Sequence, residues 1–164
     1  MSPPAKTLLL MRHAKSSWAH DELADIDRPL NKRGQRDAPL MGKKLIYLVG
    51  MPDRILCSPA RRTRETLHAM HLTTSDIHYE SKIYEAFGST LLDLIAHQPD
   101  TINTLLLIGH NPSISQLASR LAGSFLGDLP TCALIQLHIN TSSWQQTPTA
   151  SAQLVTHEYP KKYV

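Results

Sequence analysis

Thr7-Leu8-Leu9-Leu10-Met11, followed at once by Arg12-His13, decides how the chain is read. An apolar run this short and this continuous suits a strand covered on both faces. The pattern returns at Thr104-Leu105-Leu106-Leu107-Ile108 before Gly109-His110, and again at Arg54-Ile55-Leu56-Cys57 before Ser58-Pro59. Helical signals fill the intervals. Asn31 is an N-cap for a helix reaching about Leu48, with Pro39 marking either its true start or a kink. Ser58-Pro59 opens a helix to about Met70, because proline fits a first helical turn. Thr90 caps a helix to His97, and Ser113–Ala122 forms the next. Ile77–Tyr79, Cys132–Ile139 and Gln153–His157 read as further strands.

Strands alternating with helices predict an α/β three-layer sandwich, a mostly parallel sheet flanked by helices. In such sheets ligands gather beyond the carboxyl ends of the strands. Arg12-His13, the stretch from Ser58 to Arg62, and His110 all lie just past strand ends. Two arginines and two histidines therefore converge on one expected crevice.

The rest of the chain sets the bounds. Its 164 residues suit one domain, residues 1–164. A hydrophobic share of 41% with 19% charged residues supports a packed core rather than a disordered chain. The net charge of +3 allows an acidic or phosphorylated partner without requiring one. No run approaches the roughly 20 apolar residues that span a bilayer, and the N-terminal stretch from Met1 to Lys6 lacks a signal peptide's apolar segment. Cys57 and Cys132 are too far apart to suggest a disulfide framework or a metal pair. The expectation is a cytoplasmic protein with no membrane partner, its oligomeric state left open.

Arginine forks match phosphate oxygens, and a helix starting at Ser58-Pro59 would add free amides and a positive dipole end. A neutral histidine can attack phosphorus and hold the phosphoryl group covalently, while a second, charged histidine stabilises the equatorial oxygens. Taken singly, each of these residues is more simply a loop or helix-surface charge; it is their joint placement that points to phosphoryl chemistry. Other chemistries fit worse. A cysteine-dependent phosphatase needs an arginine where Cys57 is followed by Thr63. Glu65-x-x-His68 lacks the second such unit that a di-metal bundle site requires, and no zinc spacing exists. A basic nucleic-acid module could use Lys32-Arg33, Arg36, Lys43-Lys44 and Arg61-Arg62-Arg64, but aromatics at 5% offer few stacking platforms. No nucleic-acid partner is expected.

Three segments together resemble the histidine phosphatase superfamily, with its phosphoglycerate mutase-like fold. Leu9-Leu10-Met11-Arg12-His13-Ala14 is similar to its Arg-His-Gly/Ala signature. Ser58-Pro59-Ala60-Arg61-Arg62-Thr63-Arg64-Glu65-Thr66 resembles its second element, and Leu107-Ile108-Gly109-His110-Asn111-Pro112 its third. Arg28-Pro29-Leu30 with Gly34 resembles the segment after the signature. The resemblance implies that His13 is the phosphorylated nucleophile, that Arg12 and Arg62 bind phosphate, and that His110 is the second active-site histidine. Ile83-Tyr84-Glu85 matches the family's proton-donor context loosely, so Glu85 reads either as an active-site carboxylate or as a loop charge.

Lys15-Ser16-Ser17-Trp18 departs from the usual small-molecule phosphatase sequence and resembles the SixA-type phosphohistidine phosphatase branch instead. Lys15 is either an added charge near the phosphate or a solvated lysine. Only 47 residues separate Arg62 from His110, too few for a large lid insertion. The resemblance implies a phosphohistidine phosphatase acting on a signalling protein such as a phosphotransfer domain, without metal or other cofactor. A general phosphomonoesterase on the same site is the alternative, and phosphoryl relay instead of hydrolysis stays open.

Overall fold

The computed structural model describes residues 5–74 and 76–163. The first residues of the stretch read above for a leader lie outside them. Six strands, β1 (Lys6–Arg12), β2 (Arg54–Cys57), β3 (Ile77–Tyr79), β4 (Thr104–Gly109), β5 (Leu134–Ile139) and β6 (Ala152–Glu158), form one sheet in the order β3-β2-β4-β1-β5-β6. β1, β2, β3 and β4 are parallel; β5 is antiparallel to both of its neighbours, β1 and β6. Four helices cover the faces: α1 (Lys32–Val49), α2 (Arg61–Ala69), α3 (Gly88–Ala96) and α4 (Ser113–Ala122).

The apolar runs are strands because both of their faces are buried. Leu8 and Leu10 pack with Leu105, Leu107, Leu91, Ile95, Ile114 and Leu117 on the α3–α4 side. Leu9 and Met11 pack with Ile55, Leu106, Ile108, Met41, Leu45 and Leu67 on the α1–α2 side. Alternating side chains of one strand thus feed both cores, which is the three-layer arrangement expected.

Several boundaries differ from the sequence reading, each for a local reason. α1 continues unbroken past Pro39, and its N-cap is Asn31, whose side chain accepts the Gly34 amide at 2.9 Å. α2 begins at Arg61, not at Ser58-Pro59. The Ser58 hydroxyl takes the Ala60 amide, and Thr63 donates its hydroxyl to the Ser58 carbonyl, so a side-chain-bonded turn precedes the helix. α3 starts at Gly88 with Phe87 as N-cap rather than at a Thr90 cap. Glycine there lets the helix begin close against α4, since an added Cβ would meet Gln116 Cβ at 3.3 Å. Finally, Cys132 is not in β5. It sits at a positive φ of 63° and gives its amide to the His13 carbonyl, bridging to the loop after β1 instead of joining the ladder.

Candidate active site

Register brings the site together. Arg12 pairs with Gly109, and Cys57 with Ile108, so the residues that follow β1, β2 and β4 leave the sheet abreast. The His13 amide reaches the Gly109 carbonyl at 3.1 Å, and the Ser58 amide reaches Ile108 at 3.2 Å. As a result the His13 and His110 rings stand 5.3 Å apart, centroid to centroid. His110 Nε2 is 2.8 Å from the Ser58 hydroxyl. Both histidines and Arg62 are buried.

His13 is fixed by its own chain. Its Nδ1 lies 2.7 Å from the Ala14 carbonyl. A carbonyl only accepts, so Nδ1 carries the proton and the lone pair of the neutral ring is on Nε2. The Ala14 peptide is held in turn by buried Thr66, whose hydroxyl accepts the Ala14 amide at 2.9 Å and donates to the Arg62 carbonyl at 2.7 Å. α2 therefore sets both the nucleophile candidate and the arginine beside it.

Burial and neighbouring cations keep both rings neutral. Loss of hydration, reinforced by His110, Arg62 and Arg12, pushes His13 down to about 3. Burial and then Arg62 push His110 down to about 4, with Asp25 acting in the opposite direction.

The arginines are anchored yet not saturated. Arg12 Nη1 donates to the Leu129 carbonyl at 2.8 Å, and Arg62 donates to Asp25 through Nη1 and Nη2. Arg12 Nε, Arg62 Nε and His110 Nδ1 are buried polar atoms without a hydrogen-bond partner among the described residues. An unpaired buried donor is costly, so the free Nε–H groups of Arg12 and Arg62 can take an anion, and His110 Nδ1 can join them when that ring is protonated.

Lys15 and Glu85 make no side-chain bond into this cluster among the described residues. The Lys15 carbonyl accepts the Asn31 amide, and its half-buried side chain makes no hydrogen bond or ion pair among the described residues. Glu85 is exposed, at a positive φ of 56°, and its carboxylate has no hydrogen bond among the described residues. Its neighbour Tyr84 is the residue against His110, edge to face at 5.5 Å. Tyr84 also donates its hydroxyl to the Asp25 carboxylate at 2.6 Å, and Arg28 joins the same carboxylate through Nε at 3.1 Å. The Tyr84, Arg28 and Arg62 bonds hold Asp25 down at about 2. Sequence reading missed Asp25 and Tyr84 as site residues. Arg28 is further held by the Ser16 hydroxyl and the Ser17 carbonyl, and it stacks 3.6 Å from the centre of the exposed Trp18 ring.

Other candidates resolve differently. Glu65 accepts the Leu30 amide and Arg61 Nε, which ties the post-signature loop to α2. Among the described residues no three His, Cys, Asp or Glu side chains gather into a metal-binding group. No helix among them is long and apolar enough to cross a membrane. The Cys57 and Cys132 thiols are buried and pushed up to about 12.

Known proteins resemble the chain in sequence and in fold. Residues 8–90 match the family model of the histidine phosphatase superfamily, branch 1. An uncharacterised protein of Mycobacterium leprae is 34% identical over 163 residues, covering 92% of this chain and 100% of its own length. A solved chain from Nakamurella multipartitia, assigned as phosphohistidine phosphatase SixA, is 27% identical with a TM-score of 0.85, covering 97% of this chain and 99% of that one. A second solved chain, from Agrobacterium tumefaciens and with the same assignment, is 29% identical with a TM-score of 0.79, covering 94% and 98%.

Proposed function

The chain belongs to the histidine phosphatase superfamily, and from that membership we propose that it removes phosphate from phosphorylated histidine on another protein. The observation that carries the reading is the cage of Arg12 Nε, Arg62 Nε and His110 Nδ1 around a histidine whose free lone pair is on Nε2.

His13 Nε2 attacks phosphorus in line and forms a P–N bond. The P–N bond to the substrate imidazole breaks, and the departing ring keeps the electron pair. Arg12 and Arg62 take the equatorial oxygens through hydrogen bonds that their anchors leave free. A phosphoryl dianion beside His110 raises its pKa, so the ring that is neutral in the free protein becomes a charged donor in the complex. Water then attacks phospho-His13. The bond to Nε2 breaks, its electrons return to the ring, and orthophosphate leaves. Lys15 adds positive charge to the approach. Glu85 serves as proton donor when the leaving group is an alkoxide.

Two features favour a phosphohistidine protein over a small ester. An imidazole leaves without a strong general acid, which suits a segment whose one carboxylate, Glu85, is exposed and unanchored. Among the described residues the chain between α2 and β4 contains only β3, a short 3₁₀ turn and α3, with no lid insertion. A small substrate is normally enclosed by its pocket, whereas a side chain on a protein surface needs an open crevice. The partner is then a phosphotransfer domain or a similar signalling protein, and the setting is cytoplasmic.

The test measures phosphate release from a phosphohistidine-bearing phosphotransfer domain and from p-nitrophenyl phosphate, with EDTA present, for the wild type and His13→Ala. Release from the phosphoprotein that disappears in His13→Ala is the expected result. Turnover of the ester alone would replace this reading with a general phosphomonoesterase. EDTA-sensitive release, or release that survives His13→Ala, would overturn the mechanism. Glu85→Gln should slow hydrolysis of an alkyl phosphate while sparing the phosphoprotein.

A further inference from the structure

Asp25 makes more bonds than a loop carboxylate needs. It lies in a 3₁₀ turn, Asp25–Asp27, that contains no buried residue, and half of its side chain is exposed. Yet its carboxylate binds Arg62 Nη2 at 3.1 Å, the Tyr84 hydroxyl at 2.6 Å and Arg28 Nε at 3.1 Å, while its carbonyl takes Arg62 Nη1 at 2.8 Å. Arg62 and Tyr84 are both neighbours of His110, beside His13 and Ser58. The next acidic residue, Asp27, is exposed and makes no side-chain hydrogen bond among the described residues. The turn thus directs one of its two carboxylates onto the guanidinium of the anion cage.

We propose that Asp25 is a positioning residue with a second effect: it aims Arg62 and Tyr84 at the phosphoryl group while its fixed negative charge keeps the site from retaining orthophosphate. This rests on the reading of the cage as a phosphoryl site. The guanidinium groups of buried Arg62 and half-buried Arg12 alone would hold a dianionic product tightly and slow its release. A carboxylate on the far side of Arg62 repels that dianion and leaves the geometry of the fork intact. Across one guanidinium group, taken as roughly 7 Å and with water-like screening at a half-exposed carboxylate, the repulsion amounts to about tenfold in affinity.

The experiment is calorimetric titration of inorganic phosphate into the wild type, Asp25→Asn and Asp27→Asn, each checked for folding by its thermal melt. Asn at 25 keeps one acceptor oxygen, enough for the Arg62 and Tyr84 bonds that share Oδ2, gives up the Arg28 bond on Oδ1, and removes the charge. About tenfold tighter phosphate binding in Asp25→Asn, with Asp27→Asn within about twofold of the wild type, is expected. In turnover, Asp25→Asn should show stronger inhibition by phosphate and a lower kcat. An anchor with no electrostatic effect predicts the reverse, weaker binding as Arg62 loosens; weaker or unchanged binding overturns the proposal. Equal tightening in Asp27→Asn also overturns it, because the effect would then be one of net charge. If Asp25→Asn does not fold, the shorter Asp25→Ser carries the same expectation. A folded wild type that binds no phosphate removes the phosphoryl site and this inference together, whereas binding without tightening removes only this inference.

Discussion

Acid should unfold this protein through its candidate active site. His13 is pushed down to about 3 and His110 to about 4, against an ordinary value of 6.5. A depressed histidine takes up its proton on unfolding, so stability falls as pH drops below the unfolded value, and the loss continues until the folded value is reached. At pH 5 each ring is about thirty to one protonated in the unfolded chain and almost unprotonated in the folded one. Each then contributes a loss of about 2 kcal/mol between pH 7 and pH 5, on the order of 4 kcal/mol for the pair. That is a large part of the roughly 5–15 kcal/mol that holds a domain folded. Urea denaturation at the two pH values measures the loss directly. The double variant His13→Asn, His110→Asn should lose about 4 kcal/mol less than the wild type across the interval, keeping only the slope that His157, also shifted downward, contributes in both proteins. If the wild type loses less than about 1 kcal/mol, or the double variant keeps the wild-type slope, the two rings are not buried neutral and the basis for a lone pair on His13 Nε2 fails.

Three further outcomes follow from the same contacts. Thr66→Val leaves the Ala14 amide without its acceptor and should cost about 2 kcal/mol, a fall of about 4–8 °C in Tm, with a drop in kcat as His13 loses its fixed peptide; an unchanged melt would separate Thr66 from the nucleophile. Gly34→Ala places a Cβ 2.2 Å from the Lys15 carbonyl oxygen, a backbone atom, and should destabilise by about 3 kcal/mol in chemical denaturation. Iodoacetamide at pH 8 should leave Cys57 and Cys132 unmodified in the native protein and label both in urea, as mass spectrometry would report.

What was legible in the sequence was whatever short-range pattern controls. The runs Thr7–Met11 and Thr104–Ile108 identify buried strands, and because residues directly after parallel strands must leave the sheet on one edge, Arg12, His13, Ser58 and His110 could be gathered before any coordinates. Helix starts were less legible because long-range packing decides them. Gly88 begins α3 through its closeness to α4, and nothing within the Thr90 segment signals that. Cys132 reads as strand by composition, yet a contact to the His13 carbonyl draws it out of the ladder. Asp25 and Tyr84 were invisible for the same reason. Their meeting joins residues 59 positions apart, and Asp25 reaches Arg62 across 37, so no local spacing encodes either.

The contacts missed by sequence are the ones that divide labour between two chemically identical rings. His13 and His110 are both histidines after parallel strands, and sequence position alone makes them equivalent. Ala14 breaks the symmetry: its carbonyl fixes the proton of His13 on Nδ1 and leaves Nε2 with a lone pair. Among the described residues His110 has no such carbonyl partner. It has a hydroxyl at Nε2, an unpartnered Nδ1, and a carboxylate, Asp25, that favours its charged form from beyond Arg62. The ring locked in one tautomer suits attack, and the ring poised to gain a proton when an anion arrives suits stabilisation. Exchanging these environments should exchange the roles, so Thr66→Val should damage the first ring's work and Asp25→Asn the second's. On phosphate affinity the two should differ in sign: weaker for Thr66→Val as the α2 end loosens, and tighter for Asp25→Asn, where the lost repulsion of the dianion outweighs the lost support of charged His110.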